Sequence, residues 1–190
     1  FNTSKTTKFD GMFIRCHSDT PDSLPFDCTN GNGVGPFGLM DMSSAISLVS
    51  MFQAVKRIDL TGIENWNMHK VTDISKIFCD LSYTKLPWGI GNWEFDNLQK
   101  VDNALSIAAS SPAVEVNIEK WDLSHCDASN MFDLGTAWSR ISRLKIGSKH
   151  IDKNGKVTLP LSLKPNSVPS SGSVTSMVTN GTWENEATGQ

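Results

Sequence analysis

Hydrophobic positions along this chain keep neither a helical nor a strand period for long; instead a mixed pattern returns. "IENWNMHKVTDISKIF" (63–78) is followed by "IGNWEFDNLQKVDNALSIA" (90–108) and "IEKWDLSHCDASNMF" (118–132). Trp66, Trp93 and Trp121 are spaced by 27 and 28 residues. Isoleucine stands three residues before each (Ile63, Ile90, Ile118), and Met68, Phe95 or Leu123 two residues after. Ahead of the tryptophans come alternating apolar pairs, Ile58/Leu60, Leu86/Trp88 and Val114/Val116, with a fourth, Leu144/Ile146, at the end. Their first members are 28, 28 and 30 residues apart. A partial earlier copy, "MDMSSAISLVSMF", ends at Phe52.

A repeat of about 28 residues predicts units that cannot bury their apolar faces alone and must stack on one another. Alternation predicts a short strand at each φ-x-φ pair, with Ile58 and Leu60 inward and Arg57 and Asp59 on the open face. In "VTDISKIF", Val71, Ile74, Ile77 and Phe78 have helical spacing, and Thr72 or Asp73 is available as a cap, so a short helix or helical turn is expected there. The tryptophans occupy equivalent places, which predicts an interior aromatic ladder in preference to a row of sugar-binding platforms.

These residues resemble the BspA-like leucine-rich repeats of bacterial surface proteins, in which a Trp leads into "V-T-x-M-x-x-M-F". Trp66, Val71, Thr72, Ile74, Ile77 and Phe78 fill those places, as do Trp121, Met131 and Phe132 in the third unit. "VDNALSIAA" in the second unit lacks the terminal Phe, and "LKIGS" resembles a closing strand. The resemblance implies an α/β solenoid, a leucine-rich-repeat-like right-handed coil of short parallel strands and short helices. Its expected organisation is an N-terminal cap over 1–40, a solenoid over 41–147 and a C-terminal cap over 148–190 with a hairpin about Asn154–Gly155.

Composition narrows the function. Net charge is −3 and no Lys/Arg cluster exceeds a pair, which argues against nucleic acid and anionic membrane as partners. No run approaches the length of a membrane-spanning helix. The abrupt start at Phe1 reads as an excised fragment. Cys16 and Cys28, twelve residues apart in a Gly/Pro/Asp-rich stretch, are candidates for a disulfide of the kind exported proteins carry, whereas Cys79 and Cys126 read as small buried hydrophobes. His17, His69, His125 and His150 are isolated in sequence, and no CxxC or metal-ligand spacing occurs, so neither metal nor cofactor is expected. "DKNG" at 152–155 lacks the later ligands of a calcium loop, and "GNGVGPFG" fits no phosphate-binding fingerprint.

What remains is the open face of the strands, with Arg57, Asp59, Lys85, Glu115, Arg143 and Lys145 outward. Mixed charge on such a face suits recognition of a protein or glycan. By resemblance the chain is a non-enzymatic adhesion module on the extracellular, wall-anchored surface of a bacterium. It would bind host or matrix protein, glycan or another cell. The rival readings are a glycan-acting hydrolase, for which only Asp59 with Glu115 is nominated, and a structural spacer.

Overall fold

A computed structural model describes residues 2–16, 37–82, 84–107, 114–134, 137–138 and 141–147. Cys28, most of the glycine-rich stretch at 31–38, and the region 148–190 lie outside the described residues.

The apolar quartets Leu48/Met51/Phe52/Val55 and Ile74/Ile77/Phe78/Leu81, and the trio Val101/Ala104/Leu105, are fully buried. Their spacing suits a helix, yet these segments are chains of overlapping turns. Ile77, Cys79 and Leu81 donate their N–H groups to the carbonyls of Ile74, Lys76 and Phe78, closing three successive turns. Every fourth residue sits in the left-handed region: Gly11 and Arg15, Ser50 and Ala54, Lys76 and Asp80, all with φ between 57° and 63°. That conformation costs a non-glycine residue about 1–2 kcal/mol, so something outside the segment must hold it.

The holding comes from the neighbouring segment. Leu48, Ser50, Phe52 and Ala54 donate to the carbonyls of Asp73, Ser75, Ile77 and Cys79 at 2.8–3.0 Å. Ile74, Lys76, Phe78 and Asp80 donate in turn to Lys100, Asp102, Ala104 and Ser106 at 2.8–3.1 Å. Even-numbered N–H groups therefore serve the next segment while odd-numbered ones close the local turns. Asp73 completes the set by accepting the Ser75 N–H at 2.9 Å. Parallel bridges Lys8–Ser47, Ser47–Asp73 and Asp73–Lys100 mark the same alignment. Residues 6–16, placed in an irregular cap on sequence grounds, thus repeat the turn pattern: Phe9, Gly11, Phe13 and Arg15 donate to Ser47, Val49, Met51 and Gln53.

Regular strands appear late. β1 (Val114–Ile118) and β4 (Ile141–Ile146) pair in parallel, with Val116 opposite Leu144 and Ile118 opposite Ile146. From Glu115 onward this register is two residues from the alignment of Val114 with Leu144 that the spacing suggested, a shift that keeps side chains on their own faces; an irregularity between Val114 and Glu115 sets Val114 opposite Ile141. β2 (Asp133–Leu134) and β3 (Ala137–Trp138) form a small antiparallel pair. The expected strand positions at 58–60 and at Leu86 are irregular, Trp88 opens a 3₁₀ helix, and helical structure among the described residues consists of two 3₁₀ helices, Ile63–Asn65 and Trp88–Asn92.

Each 3₁₀ helix runs straight into a tryptophan, which explains the I-x-x-W spacing. The Ile63 carbonyl accepts the Trp66 backbone N–H at 3.1 Å and, from the next unit, the Trp93 indole N–H at 2.8 Å. Ile90 does the same for Trp93 and for the Trp121 indole. The Trp66 indole donates to Phe37 at 2.9 Å. The three indoles stack at centroid distances of 6.2 and 5.7 Å, within 7° of parallel. Phe13, Phe52 and Phe78 form a second stack beside them at 5.4 and 5.9 Å. Glycine is required where adjacent corners touch. A Cβ on Gly62, whose φ is +104°, would lie 2.3 Å from the Gly38 nitrogen, and one on Gly91 would lie 2.1 Å from Asn117 Cγ.

Replacing Trp93 tests this account. Trp93→Ala should cost about 3–5 kcal/mol in urea-unfolding stability from lost burial and the cavity left behind. Trp93→Phe retains the ring but leaves the Ile63 carbonyl one donor short, and should cost about 1–3 kcal/mol. Lys85→Ala, on the surface, should stay within about 0.5 kcal/mol.

Candidate functional site

Side chains that point away from the tryptophan ladder form the outer surface of the corners. Because Trp66 and Met68 face inward, Asn67 and His69 face outward, and one unit later Asn92, Glu94 and Asp96 do the same. These residues do not act alone. His69 Nδ1 lies 2.8 Å from Asp96 Oδ1, and the Asp96 backbone N–H donates to the His69 carbonyl. Asn67 Oδ1 accepts the His69 N–H at 3.2 Å. Lys120 Nζ reaches Glu94 Oε1 at 3.0 Å, and Lys145 Nζ reaches Glu119 Oε2 at 2.6 Å. The pairs are half-exposed, so each is worth about 0.2–1 kcal/mol; their larger effect is to fix side-chain orientation. Trp66, Asn67, Met68, His69, Asn92 and Glu94 line a shallow groove of about 300 Å³ between the first two corners.

His69 was isolated only along the sequence. Its partner lies 27 residues downstream, the repeat distance itself. Glu94 with Lys120 and Glu119 with Lys145 are each 26 apart. Opposite charges separated by one repeat were the available signal, and sequence reasoning did not use it.

The predicted open-face residues are brought together in part. Glu115 lies opposite Arg143 across the β1–β4 ladder, and Lys145 is two residues further along the same strand. Nothing is described of the Arg143 side chain. Lys145 turns to Glu119. Arg57 donates its N–H to the Ser82 carbonyl, and Ile58 to Thr84 Oγ1, which sets this stretch just before exposed Lys85. Asp59 is committed to its own turn, accepting from the Thr61 N–H at 2.9 Å and hydroxyl at 2.6 Å. Asp73 and Asp122 accept in the same way from the Ser75 and Ser124 N–H groups. Asp41 and Asp127 accept from Ser43 and Ser129, whose side-chain and backbone donors hold both carboxyls below the usual carboxylate range.

The thiols are shielded. Cys79 is buried, and Cys126 donates to the Leu98 carbonyl at 3.1 Å. Desolvation, with help from Asp80 at Cys79 and from Asp122 and Asp102 at Cys126, pushes both up to about 11. Cys16 is half-buried against the core, and its candidate partner Cys28 lies outside the described residues. Among the described residues no group of three or more His, Cys, Asp or Glu could hold a metal ion, and no helix is long and apolar enough to cross a membrane.

Alkylation by iodoacetamide at pH 8 should therefore leave Cys79 and Cys126 unmodified in the folded protein and label them after unfolding, as read by peptide mass spectrometry. Because both folded values lie above the ordinary 9.0, the stability these thiols confer is complete below that pH. It is lost as pH rises through about 11.

No curated protein and no solved structure gives a significant match. Residues 46–151, more than half of the 190, match the family described as "Mycoplasma protein of unknown function, DUF285", and the chain belongs to that family.

Proposed function

We propose that this chain is a non-enzymatic recognition module, a solenoidal array displayed on the extracellular surface of a bacterium. It binds a host or matrix protein, a glycan or another cell through the outward side chains of successive repeats. The observation that carries this reading is the fixing of exposed polar groups across repeats, His69 to Asp96, Glu94 to Lys120 and Glu119 to Lys145. A surface whose polar side chains are held in place gives up less entropy on binding than one of loose chains. Affinity per copy is modest and is raised by multivalent display. The resemblance to BspA-like repeats supports the adhesive role.

The hydrolase reading draws less support. Its nominated acid pair uses Asp59, whose carboxylate already accepts from the Thr61 N–H and hydroxyl. The spacer reading stands as the rival when no ligand is found.

A glycan and matrix-protein array probed with the whole chain should give specific hits. A double variant, Glu115→Lys with Lys145→Glu, tests the strand face: loss of a protein hit by about tenfold or more places that contact on β1 and β4. An array with no reproducible hit sinks the recognition reading in favour of a spacer.

A further inference from the structure

The corner groove has a chemistry that sets it apart from its neighbour along the array. At the position before one tryptophan and the position after the preceding one, the second and third units place Lys120 and Glu94, which are joined by an ion pair at 3.0 Å. At the same two positions, the first and second units place Asn92 and Asn67. These two asparagines line the groove of about 300 Å³. The Asn92 carboxamide has no hydrogen-bond partner among the described residues.

The remaining lining groups are held from behind. The Asn67 oxygen takes the His69 N–H, which leaves its NH₂ to donate elsewhere. Asp96 engages His69 at Nδ1, so in the neutral imidazole Nε2 is left as an acceptor. Glu94 is anchored by Lys120. The floor is apolar, with Met68 and Trp66 1% and 5% exposed. Two amides, an acceptor nitrogen, the Glu94 carboxylate paired with Lys120 and the Asp96 carboxylate behind His69 make a cluster rich in both donors and acceptors, with a slight excess of negative charge. Hydroxyl groups, each both donor and acceptor, match such a cluster. Phosphate or sulfate would meet the Glu94 and Asp96 carboxylates and be repelled.

We infer that the groove between the first two tryptophan corners is a binding subsite for a neutral, hydroxyl-rich glycan, contacted by Asn67, His69, Asn92 and Glu94. This rests on the recognition reading above and narrows it to one ligand class and one place. The indoles themselves are spent on stacking, so the sugar lies along the polar rim and is not sandwiched on an aromatic face.

Isothermal titration of the whole chain against neutral oligosaccharides and against sulfated or sialylated ones tests the assignment. Neutral ligands should bind and acidic ones should not. Asn92→Ala and Glu94→Gln should each weaken binding about tenfold, with thermal midpoints moved by no more than the loss of one exposed ion pair allows, and Lys5→Ala, at an exposed position outside the groove lining, should leave it intact. Binding of acidic glycans alone, or neutral binding that survives both groove variants, overturns the subsite while leaving a recognition role elsewhere on the array. Absence of any glycan binding alongside a matrix-protein hit does the same. Absence of both removes the recognition reading as well.

Discussion

One carbonyl per repeat holds the corners together. Ile63 and Ile90 each receive the backbone N–H of their own unit's tryptophan, three residues on, and the indole N–H of the next unit's tryptophan. The first bond shapes the 3₁₀ corner, and the second sets the spacing to the neighbour. A buried indole N–H without an acceptor would cost about 1–3 kcal/mol, so each tryptophan can enter the core only where a preceding unit offers its carbonyl. Ring stacking then adds about 0.5–1.5 kcal/mol per contact beyond simple burial. Local geometry and long-range order are thereby one interaction.

The turn segments extend the same logic to the main chain. Alternate N–H groups close turns locally and cross to the next segment, and the crossing bonds hold Ser50, Ala54, Lys76 and Asp80 in a conformation each would avoid alone. An isolated unit has no reason to adopt this shape. The described structure therefore reads as a cooperative stack, in which removing one unit deprives both neighbours of partners.

Consequences for the surface follow from that regularity. Side chains about one repeat apart are held next to one another whether or not their charges agree, and this sequence has placed His69 beside Asp96, Glu94 beside Lys120 and Glu119 beside Lys145. Asn67 and Asn92 line the groove. Short carboxylates are occupied differently. Asp41, Asp59, Asp73 and Asp127 accept the N–H two residues on, so their role is to make turns.

The sequence by itself determined the period, the inward positions and the equivalence of the three tryptophans, because burial is a property of residue type and repeats recur along the chain. It also carried the cross-repeat charge pairs, legible as opposite charges one period apart. The backbone path between the corners was decided only in the tertiary structure. Apolar residues at i, i+3, i+4 and i+7, as at Ile74, Ile77, Phe78 and Leu81, satisfy a four-residue turn repeat as well as a helix over so short a span. The choice falls to where the N–H groups find acceptors, and here half of them find carbonyls in a segment about 26 residues away. Hydrogen bonds to a neighbour leave no periodic trace of their own in the sequence, and so turns, not helices, line this core.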